Sequence, residues 1–159
     1  FEAAENLKND QLSFLIAGGI DKDNPNSLNE VQFEKIINQK CIHYLGEVGY
    51  ENMPKIFNLA NVFVLPSYRE GLPKVALEAA SCEMPLILNN VNGCRDCLIE
   101  GETGFLTQKG STEDLINKMK MFINNKELFI SMGKKSRKYL IENFSEEIIH
   151  KQFLELYEN

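Results

Sequence analysis

Short apolar runs alternate with longer amphipathic stretches along most of this sequence. The runs are rich in branched and aromatic residues and are bounded by polar or glycine-containing turns, which predicts buried strands. The predicted strands are residues 12–17, 42–45, 62–65, 85–88 and 104–107. The predicted helices between them are residues 1–8, 29–38, 51–59, 73–82 and 95–99. Alternating strands and helices favour parallel pairing with helical crossovers, and therefore an α/β fold.

The last third of the chain is predicted to be helical throughout. The expected helices are residues 112–124, 126–143 and 145–157. Thr112 suits the N-cap of the first, because Glu113 and Asp114 place acidic side chains in its first turn. Ser145 precedes two glutamates and starts the last helix in the same way. A polar loop is expected at residues 21–27, after a Gly-Gly turn.

Two carboxylates flank the start of the helix predicted after the third strand. Glu70 and Glu78 stand at the ends of the run EGLPKVALE, with Glu70 in a loop and Glu78 on the helix. Gly71 permits close approach of the backbone. Pro73 suits the first helical turn, where its missing N–H is not needed. Since open α/β sheets bind ligands at the carboxyl ends of their strands, this loop is a candidate site.

The start of this helix suits a diphosphate. The N–H groups around Lys74 and Val75 have no helical partners, and the positive end of the helix dipole lies there. Glu78 lies five residues beyond Pro73, roughly 7 to 8 Å along the axis at about 1.5 Å per residue. It can therefore bind ribose hydroxyls while Glu70 remains available for a sugar. The simpler alternative is that both glutamates are only solvated, as most glutamates are.

Length and charge restrict the class of protein. A chain of 159 residues, 43% of them hydrophobic, suits one domain with a sizeable core. The net charge of -6 argues against nucleic acid as the main partner, because phosphate contacts need clustered lysine and arginine. No apolar run approaches the roughly 18 residues of a membrane span, and the N-terminus lacks the pattern of a signal peptide. The sequence therefore predicts a cytoplasmic protein.

Residues 43–106 resemble the C-terminal, donor-binding half of retaining glycosyltransferases of the GT-B fold, the large group called family 4. The segments that carry the resemblance are HYLGEV (43–48), FNLANVFVLPSYREGLPKVALEAASCEMPLI (57–87), NGCRD (92–96) and GETGFL (101–106). The hallmark of this family is two glutamates separated by seven residues, and Glu70 and Glu78 reproduce it. Weaker similarity covers the rest of the chain.

The resemblance implies a fold and an activity. The expected fold is a Rossmann-like doubly wound parallel sheet, the C-terminal half of a GT-B fold, with residues 1–159 as one nucleotide-sugar-binding domain. The implied reaction transfers a hexose or N-acetylhexosamine from a nucleoside-diphosphate sugar to a glycan or lipid-linked acceptor in surface polysaccharide biosynthesis. Retention at the anomeric carbon is implied as well. A UDP-sugar is the expected substrate, and no cofactor or metal is expected.

The resemblance also assigns roles to the matching positions. Glu70 is expected to orient the transferred sugar without acting as a nucleophile, and Glu78 is expected to bind the ribose. The remaining donor-binding residues are expected to be Gly71, Leu72, Pro73, Lys74 and Val75 around the helix start, and Gly18, Gly46 and Val48 in earlier loops, with the base near Gly46 and Val48.

The chain departs from the family pattern in three respects. Glu83 stands where relatives usually have a glycine as a left-handed C-cap, a conformation that glutamate tolerates poorly. Asp96 stands where a glutamate is commoner, and Arg95 and Asp96 are candidates to support ligand contacts. The N-terminal acceptor domain, the first strand and the arginine and lysine that clamp the diphosphate in the family are not found. We therefore expect a fragment that cannot transfer sugar alone.

Two of the four cysteines are spaced as in zinc and redox sites. Cys94 and Cys97 form a Cys-x-x-Cys motif without a second pair at zinc spacing. Reduced and mostly buried cysteines are expected, with zinc or redox chemistry as the open alternatives.

A basic run near the C-terminus consists of Lys134, Lys135, Arg137 and Lys138. It is either a solvated helix face or a patch that approaches anionic lipid at the inner face of the membrane.

Two other functions remain open. One is a non-catalytic nucleotide-binding or interaction module that keeps the pocket without transferring sugar. The other is a GT-B sugar-nucleotide epimerase, which shares the architecture. The run from Glu70 to Glu78, in its PSYREGLP context, favours the transferase over both.

Overall fold

A computed structural model describes residues 1–7, 12–20 and 29–157. The predicted polar loop at 21–27 and the end of the first predicted helix, Lys8, lie outside the described residues. The chain divides into two compact units, Phe1–Met53 (unit 1) and Pro54–Asn159 (unit 2). In the part of the chain that the structure describes, no helix combines the length and apolar character needed to cross a membrane.

Unit 1 holds a two-stranded parallel sheet. Its elements are α1 (Glu2–Leu7), β1 (Phe14–Ile16), α2 (Glu30–Ile37), β2 (Ile42–Tyr44) and a 3-10 turn (Tyr50–Asn52). β1 and β2 pair along their whole length. Asn29 and Gln32 cap α2 reciprocally, because each side chain accepts a hydrogen bond from the backbone N–H of the other.

Unit 2 is built on a three-stranded parallel sheet with the order β3-β4-β5. Its elements are α3 (Met53–Phe57), β3 (Phe63–Leu65), α4 (Lys74–Ser81), β4 (Leu86–Asn89), α5 (Asn92–Arg95), β5 (Gly104–Thr107), α6 (Thr112–Asn124), α7 (Lys126–Phe144) and α8 (Glu146–Tyr157). A helix connects each strand to the next, as parallel neighbours require.

β4 lies at the centre of the core of unit 2. Every residue of β4 is buried, which indicates that both faces of the strand are covered. Ile87 packs with Phe105, Phe122 and Met132 in one cluster. The ring centroids of Phe105 and Phe122 are 5.4 Å apart in an edge-on arrangement. α6 and α7 therefore cover this side of the sheet.

α4 and α7 approach each other closely because the residues between them are small. The buried residues of α4 are Ala76, Ala79 and Ala80. On α7, a Cβ added to Gly133 would overlap the carbonyl oxygen of Glu83. Arg137 of α7 donates a 2.7 Å hydrogen bond from Nη1 to the carbonyl oxygen of Ser81. α7 thus packs against the C-terminal end of α4 and satisfies one of its last carbonyls.

α4 ends in a left-handed turn at Glu83, so the chain keeps this conformation although a glutamate replaces the glycine usual in relatives. Its φ is 60°, and among the described residues no other non-glycine residue has a positive φ. The Met84 N–H donates to the Ala79 carbonyl (3.2 Å) and the Glu83 N–H to the Ala80 carbonyl (3.0 Å). These bonds form a Schellman motif. A Cβ in this conformation is crowded, so glutamate is strained where glycine would not be.

Replacing Glu83 with glycine should stabilise the protein by about 0.5 to 1 kcal/mol. Glycine adopts this φ without steric cost, although its greater freedom in the unfolded chain offsets part of the gain. Urea unfolding would measure the change. Glu83→Ala is the matched control, because it removes the carboxylate, keeps the Cβ and should bring no gain. A lower stability of Glu83→Gly than of the wild type would contradict the prediction.

Most element boundaries agree with the sequence prediction within two residues, but three details differ. α5 begins at Asn92, earlier than the predicted 95–99, because tertiary packing overrides the poor helix propensity of a glycine in its first turn. The N-cap of α6 is Ser111 and not Thr112, since the Ser111 hydroxyl accepts from the Asp114 N–H at 3.1 Å. Pro73 is the N-cap of α4 and precedes its first turn.

Candidate functional site

The loop of residues 66–73 joins the carboxyl end of β3 to α4 and carries Glu70. The Glu70 side chain is half-buried, whereas Gly71 and Leu72 are exposed. Burial, and secondly the nearby charge of Glu70, raises the pKa of the Cys94 thiol. The Glu70 carboxylate therefore lies near α5 as well as near the start of α4.

The start of α4 has no side-chain cap. Its N-cap residue is Pro73, with φ −71° and ψ 98°, and no side chain of the described residues bonds to this end of the helix. The N–H groups of Lys74 and Val75 lie too early to have partners within the helix, so this end can bind an anion. Glu78, also half-buried, lies roughly 6 Å beyond Lys74 along the axis at about 1.5 Å per residue.

Gly93 of α5 packs directly against the backbone of the Glu70 loop. A Cβ added to Gly93 would overlap the carbonyl oxygen of Gly71 and lie 3.0 Å from the Leu72 nitrogen. A Cβ added to Gly71 meets no described atom within 4 Å. The contact between α5 and the loop therefore depends on the missing side chain of Gly93, and the approach of a ligand to Gly71 stays a prediction.

Asn89, the last residue of β4, connects the same loop to the neighbouring strands. It is 4% exposed, and its Nδ2 donates a 3.0 Å hydrogen bond to the carbonyl oxygen of Ser67. Thr107, the last residue of β5, donates a 2.8 Å hydrogen bond from its hydroxyl to Asn89 Oδ1. Neither residue was predicted from the sequence. The signal was present, since each is a polar residue at the end of an apolar strand.

A cation also lies at this edge of the sheet. Lys109, which follows β5, has its Nζ 5.4 Å from the ring centroid of Tyr68 in the Glu70 loop. Such a contact between a lysine and an aromatic face is weakly attractive. The contact between Lys109 and Tyr68 connects the loops after β3 and β5. It was not predicted from the sequence.

The site residues predicted in unit 1 form a pair of loops after β1 and β2. The Gly18 N–H donates a 2.8 Å hydrogen bond to the Gly46 carbonyl. Their φ values of 117° and 68° are conformations that favour glycine. Val48, which follows Gly46 in the sequence, is half-buried. The structure brings Gly18 and Gly46 together within unit 1, and the binding roles of all three residues stay predictions.

The Cys-x-x-Cys motif is buried. Cys94 and Cys97 are 0% and 1% exposed. Burial, and secondly the charges of Cys94, Asp96 and Glu70, raises the pKa of Cys97 to about 12, so this thiol is protonated near neutral pH and is a poor nucleophile. The other free thiols, both half-buried, are Cys41 and Cys82. Among the described residues, no group of three or more His, Cys, Asp or Glu side chains is placed to hold a metal ion.

Arg95 and Asp96 make contacts that shape the segment after β4. The Arg95 Nε donates to the side-chain oxygen of Asn90. The backbone carbonyl of Asp96 accepts a 3.0 Å hydrogen bond from the Tyr139 hydroxyl of α7. Both side chains are exposed, and their supporting role toward a ligand stays a prediction.

The basic run lies on the exposed side of α7. All four residues are exposed. Arg137 bonds to a carbonyl of α4, and Lys138 lies 3.8 Å from Glu142. Part of this charge is therefore used within unit 2, and contact with lipid stays a prediction.

Comparison with known proteins decides the family. The family model described as "Glycosyl transferases group 1" matches residues 1–143. The chain belongs to this family. It is 30% identical over 146 residues to the capsular polysaccharide biosynthesis glycosyltransferase CapM of Staphylococcus aureus, covering 92% of this chain and 37% of that protein. It is 37% identical over 120 residues to the UDP-Gal:alpha-D-GlcNAc-diphosphoundecaprenol alpha-1,3-galactosyltransferase of Escherichia coli, covering 74% and 30%.

Solved structures of glycosyltransferases share the fold of this chain. Sucrose-phosphate synthase from Thermosynechococcus elongatus matches with a TM-score of 0.84 and 27% identity, over 99% of this chain and 40% of that chain. Anabaena Alr3699/HepE, in complex with UDP, matches with a TM-score of 0.86 and 18% identity, over 99% and 43%. These neighbours confirm the predicted α/β fold with parallel strands of GT-B glycosyltransferases. The chain spans about two fifths of the length of CapM.

Proposed function

We propose that this chain binds the nucleotide-sugar donor of a retaining glycosyltransferase. The observation that carries the proposal is the position of Glu70 and Glu78. Both are half-buried, and they lie on either side of a helix start that has no side-chain cap. This helix start follows the carboxyl end of a parallel strand, the edge at which open α/β sheets bind ligands.

Each part of the donor has a chemical counterpart in this arrangement. The diphosphate binds the free N–H groups of Lys74 and Val75, since anions are stabilised at helix starts. The ribose hydroxyls donate to Glu78, one turn further along α4. The sugar hydroxyls bind Glu70 and the Gly71 to Pro73 backbone.

The proposed chemistry is electrostatic. When the bond between the sugar and the diphosphate breaks, negative charge grows on the departing phosphate oxygen. The N–H groups at the start of α4 are already oriented toward that position, so they stabilise the charge without reorganising. Glu70 orients the sugar and forms no covalent intermediate. The acceptor oxygen then attacks from the face that the leaving group occupied, and the anomeric configuration is retained.

The names of the relatives support the choice of donor and acceptor. The Escherichia coli relative is named for UDP-Gal and a diphosphoundecaprenol acceptor. A Campylobacter jejuni relative, 28% identical over 158 residues, is named a diphospho-undecaprenol alpha-1,3-N-acetylgalactosaminyltransferase. We therefore propose transfer from a UDP-hexose or UDP-N-acetylhexosamine to a lipid-linked acceptor in surface polysaccharide assembly, at the cytoplasmic face of the membrane.

Replacing Glu70 with glutamine should weaken binding of UDP-galactose about tenfold and leave binding of UDP within about twofold. The amide keeps the shape of the side chain but loses the charge that strengthens its hydrogen bonds to the sugar. Isothermal titration of both ligands would measure the two dissociation constants. Glu78→Gln is the comparison, because it should weaken both ligands. Equal losses for UDP and UDP-galactose in Glu70→Gln would contradict this division of roles.

We expect the 159-residue chain alone to transfer no sugar. The curated relatives that it matches are more than twice its length, and the proposed acceptor would be held by residues outside this chain. The assay is release of UDP from UDP-galactose or UDP-N-acetylglucosamine with a polyprenyl-diphosphate-linked sugar as acceptor. Measurable transfer by this polypeptide would contradict the expectation.

A further inference from the structure

We propose that Asn89 is a positioning residue for Glu70. Its side-chain amide holds the loop of residues 66–73 at Ser67, and so restrains the backbone from which the Glu70 side chain extends. The inference rests on the proposed function of Glu70 in binding the sugar. Asn89 is not proposed to contact the donor. It is proposed to control how closely Glu70 is aligned with the sugar hydroxyls.

Glu70 needs such support because its own side chain has few constraints. Among the described residues, none donates a hydrogen bond or forms an ion pair with its carboxylate. The backbone of the loop therefore sets the region that the carboxylate can reach, while the side-chain torsions are not fixed by a partner. Holding the backbone in place lowers the free-energy cost of ordering Glu70 around a sugar hydroxyl.

Asn89 restrains that backbone from a buried, rigid position. It is the last residue of the central strand β4 and is 4% exposed. Its 3.0 Å bond reaches the carbonyl of Ser67, three residues before Glu70. Because a carbonyl oxygen can only accept, the amide has its NH₂ group toward Ser67. Its Oδ1 then accepts a 2.8 Å hydrogen bond from the Thr107 hydroxyl, which also lies 3.3 Å from the Leu88 carbonyl oxygen. Thr107 itself is 1% exposed.

A second contact restrains the other side of Glu70. The carbonyl of Gly71 rests against the bare Cα of Gly93. Ser67 and Gly71 are therefore both held, and Glu70 lies on the short segment between them. The packing at Gly93 stops the turn from moving toward α5. The hydrogen bond of Asn89 keeps the start of the loop attached to the sheet, so losing it should free the loop without unfolding the core.

Two variants test the role of Asn89 separately from its contribution to the core. Asn89→Thr keeps a hydroxyl that can pair with Thr107 but is too short to reach Ser67. Asn89→Leu removes both polar groups and is the stronger perturbation. The control is Phe122→Leu, which shortens a buried side chain between α6 and β5 and should lower thermal stability without touching the loop.

The first measurement is the backbone ¹⁵N order parameter of residues 68–72, which reports motion of the loop on the picosecond to nanosecond timescale. In both Asn89 variants it should fall from about 0.85, the value of a rigid backbone, to about 0.6 or below, whereas the values in β5 should not change. The second is the ratio of the dissociation constants for UDP-galactose and UDP. This ratio should rise about three- to tenfold in both Asn89 variants and stay unchanged in Phe122→Leu.

Unchanged order parameters in residues 68–72 of both Asn89 variants would overturn the inference, whatever the ligand results. Lower order parameters with an unchanged ratio would also overturn it, provided that Glu70→Gln raises the ratio in the same assay. If Glu70→Gln leaves the ratio unchanged, the proposed role of Glu70 fails, and the positioning role that rests on it fails with it. The hydrogen bond from Asn89 to the loop is then judged by the order parameters alone, so the two failures are distinguishable.

Discussion

Replacing Glu78 with alanine should weaken binding of both UDP and UDP-galactose roughly ten- to hundredfold. Glu78 is half-buried on the second turn of α4, and it is proposed to accept hydrogen bonds from two ribose hydroxyls. Hydrogen bonds to a charged group are worth about 1.5 to 3 kcal/mol, which corresponds to this loss. Titration calorimetry with each ligand would measure it, and Glu78→Gln should show a smaller loss.

Glu102→Ala is the matched control for this prediction. Glu102 is exposed in the turn before β5, at the amino end of that strand and therefore at the opposite edge of the sheet. Its replacement should change neither affinity by more than about twofold, since surface substitutions away from a site have small effects. Unchanged UDP affinity in Glu78→Ala would contradict the assignment of the ribose to Glu78.

Replacing Gly133 with alanine should destabilise the protein by about 2 kcal/mol. A methyl group at this position would overlap the Glu83 carbonyl oxygen, so α7 would have to move away from the end of α4. Overpacking of this kind costs about 3 kcal/mol, and the better helix propensity of alanine returns about 1 kcal/mol. The free energy of unfolding in urea would measure the net change.

Lys134→Ala tests whether the effect is specific to the packed side of α7. Lys134 is the next residue and is exposed, so its replacement should change the free energy of unfolding by less than about 0.5 kcal/mol. If Gly133→Ala were more stable than the wild type, helix propensity would dominate and the close contact of α7 with α4 would be disproved.

The regular elements were largely predictable because their causes are local. β5 was predicted with its observed bounds, Gly104–Thr107, and α6 with Thr112–Asn124. Apolar runs of strand length and amphipathic periods depend only on neighbouring residues. The start of α5 was not predictable in this way. Its second residue is Gly93, which disfavours helix in isolation, and the contact that stabilises it there comes from a loop more than 20 residues earlier.

The same distinction applies to the candidate site. Glu70, Pro73 and Glu78 lie within nine residues of each other, so their arrangement around one helix start could be inferred from the sequence. Asn89 and Thr107 were missed because their hydrogen bonds join strand ends that are 18 and 22 residues apart in the chain. Pairing of this kind depends on which strand ends the sheet brings together, and this is not determined by the residues next to them in the chain.

The sequence by itself determined the alternation of strands and helices and the carboxylate pair beside a helix that follows a proline. Both depend on residues close together in the chain. Only the tertiary structure decided that Glu83 is left-handed, and what holds the Glu70 loop: the amide of Asn89, hydrogen-bonded to Thr107, and the close packing at Gly93. The physical reason is that buried hydrogen bonds and backbone contacts form between strands and loops brought together by the sheet, so their partners cannot be found by inspecting neighbours in the sequence.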